Sequence, residues 1–189
     1  LQKMLEQTGR YLLSNEKDAL TQVYLNEEVF SKYYLEGLLL SEALWPNHYL
    51  INRFFHKSFI QKVNDDPIII ETGIGTGYHL DQIIESISKF RYPGFDISPS
   101  SIEFAKKYIT RNHSQNIHFF LNNVNNVKSF SSQLADAVIA GEILEHIEKP
   151  DSLLRKLYKA SKPNALMFVT TVAYTANIGQ VINKKKIIN

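Results

Sequence analysis

The chain has 189 residues, 44% hydrophobic and 21% charged, which is the composition of one ordinary globular domain. Its 21 basic and 19 acidic side chains leave a formal net charge of +2, so the charge balance gives no reason to expect nucleic acid or a membrane surface as a partner. The absence of cysteine excludes disulfides, thiolate zinc sites, iron–sulfur clusters and cysteine nucleophiles. No apolar run approaches about 20 residues and no secretory signal pattern begins the chain, so we expect a cytoplasmic protein.

Residues 1–64 are predicted to be helical throughout. Apolar side chains recur at helical spacing from Val29 to Leu38, and the Trp45-Pro46 pair interrupts the pattern. A further helix follows, and its predicted apolar stripe is Tyr49, Leu50, Phe54, Phe55 and Ile60. We expect this zone to form a helical lid over a core that comprises residues 65–189.

From Pro67 onwards, short apolar runs alternate with helical segments. This alternation indicates an α/β fold with a parallel sheet and helices on both faces. The predicted strands are Pro67 to Thr72, Arg91 to Asp96, Ile117 to Leu121, Asp136 to Ala140 and Ala165 to Thr171. The predicted helices are Tyr78 to Lys89, Ser100 to Arg111 and Asp151 to Ala160.

A glycine-rich segment joins the first of these strands to the helix that follows it. The segment from Glu71 to Gly77 has the sequence ETGIGTG. Glycine lets the backbone approach a ligand closely, and the helix N-terminus offers free N–H groups, although a tight turn also needs small residues. The dinucleotide fingerprint G-x-G-x-x-G fails in both registers, because Tyr78 or Leu80 occupies its last position. The phosphate-binding pattern G-x-x-x-x-G-K-[ST] is absent as well.

A carboxylate ends the second predicted strand, in the segment YPGFDIS. Asp96 lies about 20 residues beyond the glycine loop, a spacing at which an acid can accept both hydroxyls of a ribose. Asp is also a common helix cap, and a helix is predicted to start nearby. The pairing with the glycine loop favours the ribose role.

The acid-x-Gly-x-Gly-x-Gly pattern, Asp96 and the later GEILEH segment at 141–146 resemble class I S-adenosyl-L-methionine (SAM)-dependent methyltransferases. The GEILEH segment, together with Lys-Pro at 162–163, resembles the corresponding motifs of small-molecule, ubiquinone-biosynthesis-like O-methyltransferases. The resemblance covers residues 67 to 172. It implies a Rossmann-like sheet with strand order 3-2-1-4-5, SAM as cofactor, and methylation of an oxygen or nitrogen of a small-molecule acceptor. Only Val172 to Asn189 follow the fifth strand, so we expect the C-terminal strands of the family fold to be missing.

The same resemblance implies a set of cofactor-binding residues. Glu71 would meet the ammonium end of SAM, Asp96 its ribose, and Ile97 would lie beside the adenine. Asn123 would bond the adenine amino group, although the Asn-rich segment could equally be a turn. The full predicted set is Glu71, Gly73, Gly75, Gly77, Asp96, Ile97, Asn123, Val124 and Gly141.

Three ionisable side chains follow the fourth predicted strand. Glu142, Glu145 and His146 would share one face at helical spacing, on the cofactor side of the sheet. His146, with Glu142, is the predicted catalytic pair, because imidazole titrates near neutrality and could deprotonate an acceptor. Alternatively, the three could hold a divalent metal or have a structural role only. His79 is predicted either to pack or to contact the amino-acid end of the cofactor.

Aromatic and histidine side chains of the helical zone are candidates for lining the cofactor pocket. They are Tyr33, Tyr34, Trp45, His48 and Tyr49. As an aromatic stripe, the same residues could instead belong to the core.

Other functions stay open beside the enzyme. A methyltransferase-like partner subunit without turnover is one, and a nicotinamide-dependent oxidoreductase is another, disfavoured by the broken fingerprint. No Asn-Pro-Pro-aromatic stretch follows strand four, which argues against methylation of amino groups in DNA or glutamine. The lack of cysteine excludes pyrimidine C5 methylation and radical SAM chemistry. The sequence does not predict the oligomeric state.

Overall fold

The computed structural model of the chain describes residues 34–109, 116–124, 130–147 and 149–171. Five parallel strands form one sheet in the order β3-β2-β1-β4-β5. The predicted α/β class and strand order are therefore confirmed. The strands are β1 Ile69–Thr72, β2 Tyr92–Asp96, β3 Ile117–Leu121, β4 Ala135–Gly141 and β5 Ser161–Thr170.

Five α-helices accompany this sheet in the described residues. Proline is the first residue of three of them, where its fixed φ suits a helix start and its missing N–H costs nothing. The helices are α1 Leu35–Leu44, α2 Pro46–Ser58, α3 Tyr78–Ser86, α4 Pro99–Tyr108 and α5 Pro150–Ala160, with 3₁₀ turns at Ile60–Lys62 and Leu144–His146. The helix after the glycine loop ends three residues before the predicted Lys89.

The core lies on both faces of the sheet. β1 is buried along its whole length, as expected for a central parallel strand covered on both sides. Its Ile69 packs in one cluster with Leu80 of α3, whereas Ile70 packs in the opposite cluster with Leu153 of α5. This alternation confirms helices on both faces and places the carboxyl ends of the strands at one open edge.

The described part of the helical zone packs directly on the core. Phe55 of α2 is fully buried, and its ring centroid lies 4.7 Å from that of Phe168 in β5. The predicted apolar stripe is wrong for Tyr49, Leu50 and Phe54, which are 57%, 59% and 61% exposed. Only one face of an amphipathic helix meets the core, and Phe55 is the residue of α2 that is buried there. Residues 1–33 lie outside the described residues, so the lid prediction stays a prediction.

The start of β5 differs from its prediction. Ser161 pairs with Ala135 and Leu166 pairs with Ala137, so residues 162–165 lie opposite the single residue Asp136. Asn164 adopts φ 66°, a left-handed conformation that Asn tolerates, and thereby allows this bulge. The predicted strand start at Ala165 missed the residues before the bulge. The predicted absence of C-terminal strands concerns the segment after Thr171, which lies outside the described residues, so it stays a prediction.

No helix in the described ranges is both long and apolar enough to cross a membrane.

Candidate functional site

A cavity of about 620 Å³ lies at the carboxyl edge of the sheet, with α1 and α2 contributing to its wall. This edge is where ligands bind in open α/β sheets. Of the residues predicted from the sequence, the following line it: Gly73, Gly75, Asp96, Ile97, Asn123, Val124, Gly141, Glu142, Glu145 and His146. Glu71 and Gly77 are not among the lining residues.

The glycine loop combines left-handed backbone with open space. Gly75 has φ 54°, and a Cβ added there would meet only Leu38 Cδ2, at 3.9 Å. Gly77 has φ 79° and precedes α3, but a Cβ there would lie 2.8 Å from Ile109 Cδ1. Gly75 therefore keeps cavity space free, whereas Gly77 lets α3 approach α4.

Asp96 links the end of β2 to the glycine loop. Its Oδ1 accepts the backbone N–H of Ser98 at 2.8 Å, and its Oδ2 accepts the N–H of Gly75 at 3.0 Å. Burial raises the pKa of Asp96, and these backbone donors only partly offset the rise. The Ser98 side chain caps α4 by accepting the N–H of Ser101, so Asp96 is not the side-chain cap of this helix. Each carboxylate oxygen keeps a further lone pair for a hydroxyl donor.

Glu71 is buried below the cavity wall, with a relative exposure of 1%. Its Oε2 accepts the hydroxyl of Tyr92, and its Oε1 lies 2.9 Å from His79 Nδ1. His79, rather than Glu71, lines the cavity. Sequence reasoning missed this array, although a glutamate within a strand predicted to be buried signals that a buried partner must exist.

The His79 ring is held closely by its neighbours. Its centroid lies 4.7 Å from that of Phe55 and 5.4 Å from that of Phe168. A Cβ added to Gly141 would approach His79 Cε1 to 2.5 Å. The absence of a side chain at Gly141 therefore makes room for the imidazole.

The segment that follows β4 is not an α-helix. Glu142 has φ 48°, and Leu144–His146 is a single 3₁₀ turn, so the predicted helical face shared by Glu142, Glu145 and His146 is wrong. The left-handed residue turns the chain directly after the strand, and the Glu142 N–H donates to Thr170 O at 3.1 Å. Within the described ranges, no group of three His, Asp or Glu side chains could hold a metal. The metal hypothesis thus has no support.

The environments of these ionisable groups differ. Burial raises the pKa of Glu142, and the nearby Glu145 charge raises it further. Burial lowers the pKa of His146, and the Glu142 charge opposes this only in part. Glu145 Oε2 accepts the hydroxyl of Thr171 at 2.9 Å. Burial thus favours the neutral form of the His146 imidazole.

A polar cluster on α1 and α2 also lines the cavity, and sequence reasoning missed part of it. Asn52 Nδ2 donates to Glu42 Oε2 at 3.0 Å, and Ser41 Oγ lies 3.2 Å from His48 Nδ1. Of the predicted aromatic and histidine liners, Tyr34, Trp45 and His48 do line the cavity and Tyr49 does not, while Tyr33 is outside the described residues.

Comparisons with known proteins concern the family and the fold of this chain. A family model described as a methyltransferase domain matches residues 64–188. The malonyl-[acyl-carrier protein] O-methyltransferase of Halalkalibacterium halodurans is 24% identical over 110 residues, covering 57% of this chain and 40% of that protein. The ubiquinone biosynthesis O-methyltransferase of Neisseria meningitidis is 23% identical over 104 residues, covering 55% and 43%. The chain thus spans about two fifths of the length of these curated relatives.

Solved structures show the same fold at low sequence identity. A SAM-dependent methyltransferase from Aquifex aeolicus aligns with TM-score 0.52 and 14% identity, over 69% of this chain and 66% of the other. Coclaurine N-methyltransferase, bound to N-methylheliamine and S-adenosylhomocysteine (SAH), aligns with TM-score 0.54 and 17% identity, over 64% and 33%. At such identities the likeness concerns the fold alone.

Proposed function

Because the chain belongs to the class I SAM-dependent methyltransferases, we propose that it transfers a methyl group from SAM to an oxygen or nitrogen of a small-molecule acceptor. The observation that carries this proposal is the Asp96 carboxylate. It is tied to the N–H of Gly75 and lines the cavity at the end of β2. A carboxylate beside an open glycine loop is positioned to accept the hydroxyls of a ribose.

The residues around Asp96 fit the remaining parts of the cofactor. The open side of Gly75 leaves room for close backbone approach, and Ile97 and Val124 offer apolar surface for a base. The Asn123 side chain can accept a hydrogen bond from an adenine amino group. These features support the cofactor-binding set proposed from the sequence. Glu71 and Gly77 do not line the cavity, and they support residues that do.

SAM, when bound, supplies a methyl group that its sulfonium has already activated toward an in-line nucleophile. The chain's part is then to align the acceptor, to exclude water and to take up a proton. α1 and α2 cover the cavity, and we assign water exclusion to them. His146, with Glu142 beside it, is the proposed proton acceptor, because a neutral imidazole can take the proton of a hydroxyl or ammonium.

The relatives support an oxygen acceptor, since both curated proteins are named as O-methyltransferases. Glu142 and His146 can serve either an oxygen or a nitrogen nucleophile. We therefore keep both atoms in the proposal.

The test has two stages. Calorimetry with SAH, SAM and NAD asks which cofactor binds, and we expect SAH and SAM to bind and NAD not to bind. Mass spectrometry of reactions with a panel of phenols, catechols and amines then asks for a mass gain of one methyl group. Binding of SAH without turnover on any acceptor would favour a partner subunit instead, and binding of NAD alone would contradict the proposal.

A further inference from the structure

We propose that His79 is a cofactor-binding residue of this chain, whose Nε2 donates to the carboxylate of the methionine part of SAM, with Glu71 as its positioning residue. This inference rests on the proposed function. It extends the proposed function, which assigned residues to the ribose and the base, by assigning the Nε2 atom of His79 to the amino-acid end of the cofactor.

The first observation is the unequal use of the two ring nitrogens. Nδ1 lies 2.9 Å from Glu71 Oε1, while within the described residues no hydrogen bond involves Nε2. The side chain is only 19% exposed, and the ring lines the cavity. A ligand in the cavity would exclude water from this ring, and it would then have to supply an acceptor for the Nε2–H, because a buried N–H without a partner is costly.

The second observation is the charge around the ring. Burial lowers the pKa of His79, but the charge and hydrogen bond of Glu71, with the charges of Glu42 and Glu142, outweigh burial and raise it. The neighbours from α2 and β5 are the uncharged Phe55 and Phe168. The ring is therefore biased toward imidazolium, which donates from both nitrogens and prefers an anionic acceptor.

The third observation is position along the sheet edge. Asp96 ends β2, on one side of β1, whereas the His79 ring lies against Gly141 at the end of β4, on the other side. Asp96 and His79 line the same cavity, so a ligand that has its ribose at Asp96 and extends across β1 along this cavity would place its other end at His79. The carboxylate is the one anionic group of SAM, and this path brings that end of the molecule to His79.

Gly141 provides a second position at which the proposal can be tested. A methyl group at this position would come within 2.5 Å of His79 Cε1, and the ring cannot yield freely because Glu71, Phe55 and Phe168 hold it. Gly141→Ala should therefore displace the imidazole and imitate its loss. The substitution should have much less effect in a chain that already carries His79→Ala, because the clash is then gone.

The experiment compares two probes that share the adenosine part, SAH and 5′-methylthioadenosine, which lacks the amino-acid part. His79→Asn keeps a donor near the Nδ1 position for Glu71 but removes Nε2, and His56→Asn is the matched control on the exposed face of α2. Calorimetry should show SAH affinity falling about 10- to 100-fold in His79→Asn, the range for a hydrogen bond to a charged group. The affinity for methylthioadenosine should change by less than about twofold, and His56→Asn should change neither.

An equal loss of affinity for both probes would show that His79 only packs against the site. No loss of affinity for either probe would show that Nε2 does not contact the ligand. Either result would overturn the inference. Loss of turnover with SAH affinity unchanged would do the same, because it would make His79 a proton acceptor. Wild-type protein that binds neither probe would contradict the proposed function itself. In the His79→Ala background, Gly141→Ala should change the logarithm of the SAH affinity by at most about a third of the change that it causes alone. If the two effects were fully additive, the claim that Gly141 makes room for the His79 ring would be contradicted.

Discussion

The Oδ2 atom of Asp96 accepts the backbone N–H of Gly75 at 3.0 Å, and this bond fastens the end of β2 to the loop that follows β1. The two residues are 21 positions apart in sequence and meet only because β1 and β2 are parallel neighbours. The carboxylate thus holds the loop conformation and offers its remaining lone pairs to the cavity.

Replacing Asp96 should weaken cofactor binding more than it weakens the fold. Asp96→Ala removes the acceptor for ribose hydroxyls, and we expect SAH binding to lose about 1.5–3 kcal/mol, the range for hydrogen bonds to a charged group. Titration calorimetry measures the loss, and circular dichroism checks the fold. Asp65→Ala, on an exposed residue outside the cavity, is the control. Wild-type affinity in folded Asp96→Ala would contradict the ribose assignment.

A side chain at Gly75 should block the ligand. Gly75→Val forces a β-branched residue into φ 54°, at a cost of about 1–2 kcal/mol or more, and directs its methyl groups into open cavity space. We expect SAH binding to be abolished while the protein still folds, with a lower melting temperature. Gly37→Ala is the matched control, because Gly37 also lines the cavity, lies within α1 and has nothing within 4 Å of an added Cβ. Persistence of SAH binding in Gly75→Val would remove the loop from the cofactor site.

Asp136 should make stability depend on pH. Burial alone would raise the pKa of Asp136, but the Ile68 N–H at 3.0 Å and the Lys162 ammonium at 2.8 Å outweigh burial and lower it. A carboxyl whose pKa is depressed by folding stabilises the protein above its unfolded pKa, and this stabilisation disappears as the pH falls through the folded value.

We therefore expect Asp136→Asn to reduce the free energy of unfolding by about 1–2 kcal/mol at pH 7. Urea titrations at several pH values should show the gap between variant and wild type narrowing below about pH 4. A gap that stayed constant down to acidic pH would show that the carboxylate charge is not the source of the stabilisation. Glu103→Gln, on the exposed side of α4, is a suitable charge control.

His146 should matter for turnover and not for cofactor affinity. Once an acceptor is identified, His146→Ala should lower kcat by about 10²–10⁴-fold if the imidazole accepts the acceptor's proton. SAH affinity should stay within about twofold of the wild type, because the proposed cofactor contacts lie elsewhere in the cavity. Normal kcat in this variant would return His146 to a structural role.

The sequence predicts the elements that local patterns specify. The apolar run before Glu71, the glycines after it and Asp96 at the end of the next run are all local signals, and the strand order follows from the family resemblance. The strand positions and the loop conformation agree with these signals, since all three loop glycines adopt positive φ.

Other features depend on contacts between distant segments and could not be predicted this way. The bonds of Glu71 to His79 and Tyr92 join residues from β1, α3 and β2, and nothing in the local pattern specifies such a pairing. The left-handed turn at Glu142 follows from the path that the chain takes out of β4, and residue spacing alone favours a helix there. The exposed Tyr49 shows that an apolar pattern on α2 does not identify which face meets the core.

The central claim is that the cavity beside Gly75 and Asp96 binds SAM, and calorimetric titration of the wild-type chain with SAH at neutral pH, run in parallel with NAD, tests it most directly. The account predicts saturable SAH binding at a single site per chain, lost in Gly75→Val, with no heat of binding for NAD. Binding of NAD, or SAH binding that survives Gly75→Val unchanged, would contradict it.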